Sequence, residues 1–363
     1  MFETVFLIIV AAYFIQGTLL AIGSKKKFTK IGNEELPSAS VIVAARNEEK
    51  NILNCLESLN NLTYPENKLE IILVDDDSTD NTGSIISNFI SDKPNFNLIK
   101  PIKDFGETKG KARAIANAVE IAKGEIILTT DADCTVSSTW ASTIASYYKP
   151  DVVMVCGYTN QKRRNLFEAV QDMDFIYLLT VGAGAINLGK PLSAIGNNMS
   201  YRKSAYLEVG GYENIPFSVT EDFQLLMAIN KIKKKKIIYP ADPGGLVTSE
   251  PCPNLKTLFF QKRRWAVGGL KSTLDNLLII STGFWVTLLS LFIPFFYSAS
   301  VMYLLCLKIF TDLFMVYFIY KKLNLKFNIF NFVAFQIYLT VYFIITSLSI
   351  LVSKKVIWKG RKF

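Results

Sequence analysis

The fold is decided by residues 69–80, which read LEIILVDDDSTD: an apolar run that ends directly in acidic and hydroxyl-bearing residues. The run over 69–74 predicts a buried β-strand, because it is short, contains β-branched residues and is bounded by turn-forming side chains. Ser, Thr and Asp at positions 78–80 are typical of a helix start, so a helix is predicted over 79–90. A strand followed at once by a helix is the repeating unit of an α/β domain.

The same pattern recurs along the first half of the chain. The other predicted elements are, in chain order, a strand over 39–44, a helix over 47–59, a strand near 97–100, a helix over 111–122, a strand over 125–130, a helix over 138–148 and a strand over 152–157. Strands and helices that alternate at this spacing imply an α/β fold with a mostly parallel, doubly wound sheet. In such sheets, ligands bind beyond the carboxyl ends of the strands.

Three blocks of the chain are apolar enough to cross a membrane. Residues 2–22 and 277–320 carry one and two charged side chains respectively, and residues 328–353 carry none. Because a span needs roughly 20 apolar residues, the blocks predict one, two and one transmembrane helices. This pattern excludes an ordinary soluble domain. A cleaved secretory signal is the less favoured interpretation of the first block, which lacks a basic n-region.

The predicted division of the chain follows from these blocks. It is a transmembrane helix over 1–24, a globular domain over 25–276, a membrane region of about three helices over 277–353 and a basic tail over 354–363. The last part of the globular domain, about 255–276, is expected to lie at the membrane interface because basic residues and a Trp occur there.

The chain carries 40 Lys and Arg against 31 Asp and Glu, a net charge of +9. The basic residues cluster near the apolar blocks rather than alternating with exposed aromatic residues, which favours a membrane and an anionic ligand over nucleic acid as partners. The apolar blocks predict a multi-pass protein of the cell membrane. Because Lys25–Lys27 follow the first span, the positive-inside rule predicts that its globular domain lies in the cytoplasm. Five cysteines without a Cys-x-x-Cys spacing fit reduced thiols there.

The basic tail conflicts with this topology. Four spans that begin with the N-terminus outside place residues 354–363 outside as well, against the positive-inside rule. Either the charge rule is overridden or residues 277–320 are not a simple pair of spans. Lys308 and Asp312 lie four residues apart within that block, so they are expected to neutralise each other, a functional role being the alternative.

Acidic residues follow two of the predicted strands. Asp75–Asp77 come directly after one strand, and Asp131-Ala132-Asp133 after another. Asp-x-Asp places two carboxylates on the same side of an extended segment, which suits a hard divalent cation that also takes diphosphate oxygens. The alternative for one such cluster is turn or helix-capping chemistry. Because the chain contains no His, any proton transfer and metal binding must rest on carboxylates.

Three further segments are weaker signals. Gly182-Ala183-Gly184 follows an apolar helical run rather than a strand, so it predicts close helix packing rather than a dinucleotide loop. Thr220-Glu221-Asp222 precedes a helical run and fits a helix start. Residues 261–265, QKRRW, fit a juxtamembrane basic anchor with an interfacial Trp.

Taken together and in order, these motifs resemble family 2 glycosyltransferases with the GT-A fold. They look most similar to the membrane branch that contains cellulose, chitin, hyaluronan and poly-N-acetylglucosamine synthases and ceramide glucosyltransferase. The resemblance covers about residues 38–269 and rests on the motifs Ala44-Ala45-Arg46-Asn47-Glu48, Val74-Asp75-Asp76, Gly110-Lys111-Ala112, Asp131-Ala132-Asp133, Thr220-Glu221-Asp222 and Gln261-x-x-Arg264-Trp265.

The resemblance implies a role for each of these residues. Asp75 and Asp76 would recognise the uridine of a UDP-sugar, helped by Ala44, Glu48 and Lys111. Asp131 and Asp133 would hold Mg²⁺ or Mn²⁺ on the donor diphosphate, and Asp222 would be the general base. Arg264 would pair with the diphosphate, while Gln261 and Trp265 would line the acceptor end.

The chain departs from the pattern at two positions, with Arg46 where the family often has Tyr and Asp77 where it often has Gly. The expected activity is inverting, metal-dependent transfer from a nucleotide sugar to a lipid or growing glycan at the cytoplasmic membrane face. A processive polysaccharide synthase of the same family is the alternative. Two interpretations from other classes are a transporter with a nucleotide-sensing domain and a binding protein without activity.

Overall fold

The computed structural model describes residues 1–106, 108–216, 218–270, 274–352, 357–358 and 361–362. The chain forms two compact units, and the boundaries differ from the predicted globular segment 25–276. The helical unit comprises Met1–Lys25, Gln161–Leu192 and Pro251–Phe363; the α/β unit comprises Lys26–Asn160 and Ser193–Glu250. Residues 161–192 and 251–270 therefore belong with the terminal helices.

The helices and strands follow the predicted order. The helices are α1 (Phe2–Ser24), α2 (Ile52–Asn60), α3 (Thr82–Ile90), α4 (Lys111–Ile121), α5 (Trp140–Ala145), α6 (Leu166–Asn187), α7 (Lys203–Glu208), α8 (Gly211–Asn214), α9 (Glu221–Ile229), α10 (Leu255–Gly269), α11 (Leu274–Ser290), α12 (Ala299–Lys322) and α13 (Ile329–Val352). The strands are β1 (Ala39–Ala45), β2 (Leu69–Asp75), β3 (Phe96–Ile99), β4 (Ile126–Asp131), β5 (Cys134–Val136), β6 (Val152–Cys156), β7 (Thr159–Gln161), β8 (Met199–Arg202), β9 (Lys236–Ile238), β10 (Val247–Ser249), β11 (Ile357–Trp358) and β12 (Arg361–Lys362).

The main sheet of the α/β unit has the strand order β3-β2-β1-β4-β8-β6-β9. Strands β1 to β4 are parallel, as the alternating pattern predicts, and β9 is parallel to β6. Strand β8 is antiparallel to both of its neighbours, so the sheet is mixed. Strand β8 is not predictable from the local sequence pattern, because its four residues carry no run of apolar side chains.

Strand β1 lies inside this sheet, between β2 and β4, and is buried along almost its whole length. That burial is expected of a parallel strand covered on both faces, and it explains the continuous apolar run in the sequence. Val41 and Val43 belong to a core that includes Leu56 of α2, Ile86 of α3 and Trp140 of α5. Helices therefore hold the sheet by burying the alternate side chains of its strands.

In the helical unit, α6 packs closely against α1. A Cβ atom added at Gly184 would lie 2.2 Å from the carbonyl oxygen of Leu20, and one added at Gly23 would lie 2.6 Å from the carbonyl oxygen of Gly184. Only glycine allows backbones to approach to this distance. The prediction that the Gly182–Gly184 segment serves close helix packing is confirmed.

Helix α6 also forms buried polar contacts with three other helices of its unit. Its side chains Asp172 and Asp174 are fully buried, which is costly unless a partner compensates each charge. The contacts are a hydrogen bond to Asp172 from Tyr320 of α12, an ion pair of Asp174 with Lys262 of α10, and a hydrogen bond between Tyr177 and Tyr13 of α1.

Four described helices are long and apolar enough to cross a membrane, namely α1, α6, α12 and α13. Helix α6 is not among the predicted spans, and it is largely buried inside the protein. The predicted pair of spans over 277–320 corresponds to α11 and α12, which a turn at Ile293–Phe295 separates. Helix α11, with 17 residues, falls short of a full span by itself.

Contacts within the helical unit give the directions of these helices. The side-chain amide of Gln16 in α1 donates to the carbonyl of Ile279 in α11 at 2.9 Å, and Phe2 stacks on Phe296 at 4.4 Å. Helix α11 with its following turn therefore runs antiparallel along α1. Helix α12 returns in the direction of α1, since Lys322 donates to the carbonyl of Lys25 at 3.0 Å.

Lys308 and Asp312 form the predicted ion pair, 2.8 Å apart and buried. The Asp312 carboxylate also accepts a hydrogen bond from Tyr13, and the Lys308 ammonium donates to Gln336 at 2.7 Å. The pair thus joins α12 to α1 and α13. Most of the predicted basic tail over 354–363 lies outside the described residues.

The Lys262–Asp174 pair provides a test of the packing in the helical unit. Lys262→Met leaves a buried carboxylate without its counter-charge, which typically costs about 3–5 kcal/mol. We expect a clear fall in the midpoint of thermal unfolding in detergent, and substantial recovery when Asp174→Asn is added. The matched control is Lys256→Met, which removes an exposed charge from the same helix. Equal midpoints for the Lys262 and Lys256 variants would contradict the assignment.

Candidate active site

The loops that follow β1 and β2 are joined by hydrogen bonds. The side-chain oxygen of Asn47 accepts from the Thr79 N–H at 2.8 Å, and the Asn47 N–H donates to the Ser78 hydroxyl at 3.1 Å. The Glu48 N–H donates to the Thr82 hydroxyl at 2.8 Å. Asn47 adopts a left-handed backbone with φ 53°, which Asn tolerates better than most residues. These bonds hold Glu48, a predicted donor-binding residue, at the carboxyl end of the sheet.

Asp75 and Asp76 lie at the end of β2, and both are buried. Asp75 accepts a hydrogen bond from the Ser78 N–H at 3.0 Å, and a Cβ atom at Gly83 would lie 2.7 Å from its other oxygen. Asp76 forms an ion pair with Arg113 of α4 at 3.2 Å. Sequence reasoning does not single out Arg113, although it lies two residues after Lys111 on the same helix turn.

The two departures from the family pattern both lie beside Asp76. The Arg46 guanidinium donates to the backbone carbonyl of Asp76 at 2.6 Å. Asp77 adopts φ 56°, a left-handed conformation that favours glycine and that Asp can adopt, and its carboxylate lies 3.1 Å from Arg113. The backbone requirement at position 77 is therefore met without glycine.

The strand register aligns the other predicted donor residues. Ala45 is paired with Asp75, and Ala44 with Asp131, so the ends of β2, β1 and β4 lie side by side. Ala44 is partly exposed there. The predicted residues of these three strands thus share one edge of the sheet, where ligands bind in α/β folds.

Lys111 connects β4 to α9. It begins α4, and its ammonium forms an ion pair with Asp131 and lies 3.6 Å from the carboxylate of Glu221. Burial lowers the pKa of Lys111, but the carboxylates of Asp131, Glu221 and Asp222 outweigh it and hold the pKa above its ordinary value. Lys111 therefore carries a positive charge at neutral pH. Glu221 is a second residue of the site to which the sequence motif assigns no role.

Asp222 is fixed by two backbone donors. Its carboxylate accepts hydrogen bonds from the N–H of Gly196 at 2.9 Å and from its neighbour Phe223 at 2.8 Å. Gly196 is held in turn by the hydroxyl of Thr129 in β4, which donates to its carbonyl at 2.7 Å. A Cβ atom at Gly196 would lie 3.3 Å from the ammonium of Lys111. The structure thus brings Asp222 and Lys111 together, beside the end of β4.

Asp133 follows Asp131 at the start of the next short strand. The Cys134 thiol lies 3.4 Å from its carboxylate, and the Cys55 thiol donates to the backbone carbonyl of Asp131 at 3.7 Å. Burial, together with the neighbouring carboxylates, raises the pKa of both thiols, so they are protonated at neutral pH. They pack as small side chains beneath the Asp-x-Asp motif.

The donor atoms at this edge fit a hard divalent cation. Asp131 and Asp133 supply carboxylate oxygens, which Mg²⁺ and Mn²⁺ prefer. Asp131 also forms an ion pair with the Lys111 ammonium, so its carboxylate is placed to bind a positive charge. Within the described part of the chain, no group of three His, Cys, Asp or Glu side chains could hold a metal ion. A metal here would therefore need further oxygens from its ligand, such as those of a diphosphate.

The remaining predicted residues, Gln261, Arg264 and Trp265, lie on α10 in the helical unit and are all partly exposed. The Trp265 ring stacks on Phe175 of α6 at 5.6 Å, and the Lys262 ammonium lies 4.5 Å from the ring centre. The indole thus takes part in packing within its own unit.

Sequence comparison assigns the family. The profile described as Glycosyl transferase family 2 matches residues 40–210, and the profile described as Glycosyl transferase family group 2 matches residues 126–350. The chain belongs to glycosyl transferase family 2. The resemblance inferred from the ordered motifs is confirmed.

Named relatives support the same family. A beta-monoglucosyldiacylglycerol synthase of Nostoc sp. is 27% identical over 66% of this chain and 50% of its own length. The poly-beta-1,6-N-acetyl-D-glucosamine synthase of Staphylococcus epidermidis is 25% identical over 90% of this chain and 79% of its own. The chain spans about half the length of the cyanobacterial relatives that it matches.

The structural comparison confirms the predicted fold class. A mannosyltransferase from Pyrobaculum calidifontis, solved in complex with GDP-Man and Mn²⁺, matches with a TM-score of 0.62 at 18% identity. The match covers 97% of this chain and 99% of that one. This member of glycosyl transferase family 2 therefore combines a GT-A domain with apolar helices at both ends of the chain.

Proposed function

We propose that the protein transfers a hexosyl or N-acetylhexosaminyl group from a nucleotide sugar to a hydroxyl of a lipid or growing glycan, with inversion. The observation that carries this proposal is the cluster of Lys111, Asp131, Glu221 and Asp222 at the end of β4, in a chain of this family. It combines a cation-binding carboxylate with a separate carboxylate that is available for proton transfer. A transporter or an inactive binding protein does not require this pair.

The donor would bind along the aligned strand ends. Ala44, Glu48, Asp75, Asp76 and Lys111 would contact the donor nucleotide. We propose UDP as the nucleotide, and the presence of GDP-Man in the mannosyltransferase structure makes GDP the competing choice. Arg264 would add a planar, bidentate partner for phosphate oxygens.

Asp131 and Asp133 would hold Mg²⁺ or Mn²⁺ on the donor diphosphate. When bound, the metal would neutralise the negative charge that develops on the departing nucleoside diphosphate. The solved mannosyltransferase structure contains Mn²⁺, which supports a divalent cation without selecting between the two metals.

Asp222 would accept the proton of the acceptor hydroxyl. The oxygen of that hydroxyl forms a bond to the anomeric carbon while the bond from this carbon to the diphosphate oxygen breaks. Because the two backbone donors fix the Asp222 carboxylate, its orientation is set before the acceptor arrives. Because the chain contains no His, we assign the role of base in this site to a carboxylate.

Two acceptor classes fit the family. The Nostoc relative is named for a glucosyl lipid, which supports a lipid acceptor. The staphylococcal relative is named for a polysaccharide and matches over 90% of this chain, which supports a growing glycan and processive synthesis. Gln261 and Trp265 would line the acceptor end in either case.

The site is proposed to face the cytoplasm. Lys25 and Lys322 lie together at one end of α1 and α12, and the chain leaves α1 there to enter the α/β unit. The positive-inside rule places such a basic end in the cytoplasm. We propose that α1, α11 with its turn, α12 and α13 cross the membrane, and that α6 remains inside the helical unit.

The assignment of the base is tested by Asp222→Asn. An amide cannot take the proton, so we expect the turnover number to fall by roughly 10²–10⁴-fold, with little change in donor affinity. The matched control is Glu208→Gln, an exposed acid of the same unit. Because Asn can replace only one of the two backbone-bonded oxygens, thermal unfolding of the variant is measured alongside. Near-normal turnover in a folded variant would contradict the role.

The reaction itself is tested with membranes and a panel of radiolabelled UDP- and GDP-sugars. We expect one donor to label either an organic-soluble lipid or a polymer, and EDTA to abolish the labelling until Mg²⁺ or Mn²⁺ is restored. Activity that persists in EDTA would remove the metal role of Asp131 and Asp133. No labelling from any donor would contradict the proposed reaction.

The proposed topology is tested by reporter insertion in a bacterial host. Alkaline phosphatase inserted between α12 and α13, after Asn324, should be inactive, and green fluorescent protein there should fluoresce. Insertion in the turn before α12, after Phe296, should give the reverse pattern, as should fusion after Phe363 if α13 crosses. A cytoplasmic reporter signal after Phe296 would show that α11 does not cross.

A further inference from the structure

The ammonium of Lys111 contacts the carboxylate that is proposed to bind the metal. Lys111 is paired with Asp131, and both side chains are only partly exposed, at 28% and 35%. A divalent cation on Asp131 would then lie beside a lysine ammonium. Two cations on one carboxylate repel each other strongly in a partly buried site, because the local dielectric screens them weakly. Metal binding and the Lys111–Asp131 pair therefore compete.

A second carboxylate is available to receive Lys111. Glu221, at the start of α9, lies 3.6 Å from the same ammonium, and its side chain is 14% exposed. The residue beside both is Gly196, where an added Cβ would lie 3.3 Å from the ammonium. The absence of a side chain at Gly196 leaves room for the long, flexible lysine to move between the two acids.

We propose that Lys111 holds, in the ligand-free protein, the place on Asp131 that the divalent cation takes, and that metal binding transfers Lys111 to Glu221. The inference rests on the proposed metal role of Asp131. It makes Lys111 and Glu221 positioning residues for the metal, in addition to any contact of Lys111 with the donor. The site then keeps one cation on Asp131 at every stage, which avoids an uncompensated carboxylate before the metal arrives.

The exchange has a consequence for the order of binding. The free metal must displace an ammonium, so it binds weakly. A nucleoside diphosphate brings additional negative charge and oxygen atoms, which attract both the metal and the released ammonium. Metal and donor are therefore expected to bind together. A lysine that served only as a phosphate ligand would not affect the binding of the metal alone.

The experiment measures Mn²⁺ affinity of the full chain in detergent from the electron paramagnetic resonance signal of free Mn²⁺. We expect Lys111→Met to bind Mn²⁺ on the order of tenfold more tightly than the unchanged protein when no nucleotide is present. The matched control is Lys109→Met, which removes an exposed lysine two residues away and so corrects for the loss of one positive charge. Saturating UDP or GDP should reduce the difference, because Lys111 has then left Asp131 in the unchanged protein.

A double-mutant cycle tests the receiving carboxylate. Glu221→Gln should weaken Mn²⁺ binding in the unchanged background, since Lys111 then loses the carboxylate that lies within 4 Å of it besides Asp131. The same substitution should have little effect on Mn²⁺ affinity in the Lys111→Met background. A direct electrostatic attraction between the Glu221 carboxylate and the metal would persist there. Circular dichroism and thermal unfolding identify any variant that fails to fold. If Lys111→Met does not fold, the Mn²⁺ affinity of Glu221→Gln still tests the exchange.

The outcomes separate this inference from the proposed function. If Lys111→Met and Lys109→Met bind Mn²⁺ equally, or if the Glu221 effect persists without Lys111, the exchange is wrong and the metal site stands. If neither the unchanged protein nor any variant binds Mn²⁺, with or without UDP or GDP, the metal role of Asp131 fails and the exchange fails with it.

Discussion

The register of β1 with its two parallel neighbours is the constraint on which the site depends. Backbone hydrogen bonds pair Ala45 with Asp75 on one side and Ala44 with Asp131 on the other. Since a one-residue slip would turn every side chain of β1 to the opposite face of the sheet, where it would not fit its new neighbours, the register is held by the packing of the whole core. The alignment of the acidic residues is therefore a consequence of packing far from them.

The helical unit is organised by a different kind of interaction. Its central helix, α6, carries two buried aspartates whose partners lie on α10 and α12. Apolar packing gives little specificity between helices in lipid, whereas a buried charge accepts very few alternative arrangements. These polar contacts, together with the Lys308–Asp312 pair, specify which helices of the unit are neighbours.

The sequence predicts the features of this protein that depend on local pattern. Strand and helix periodicity identifies β1 to β4, and the positions of Asp75 and Asp131 at strand ends follow from it. The paired charges Lys308 and Asp312 are predictable because they lie one helical turn apart. Each of these inferences uses residues that are close along the chain.

Features that depend on distant pairs are not predictable in this way. Strand β8 is too short and too polar to stand out, and it exists because β4 and β6 flank it. Glu221 becomes part of the site only when α9 lies beside Lys111, and Arg113 only when α4 lies beside Asp76. The buried acids of α6 likewise acquire their partners from α10 and α12, which lie far from α6 along the chain.

The glycine contact between α1 and α6 has a consequence for how genetic data on this protein are interpreted. At Gly184 even a methyl group would meet the carbonyl of Leu20, so α6 would have to move together with Asp172 and Asp174. A substitution that alters no reacting group would then be scored as a loss of activity. Inactivating substitutions would therefore occur along one face of α6, at its contacts with other helices, as well as at the residues that take part in the reaction.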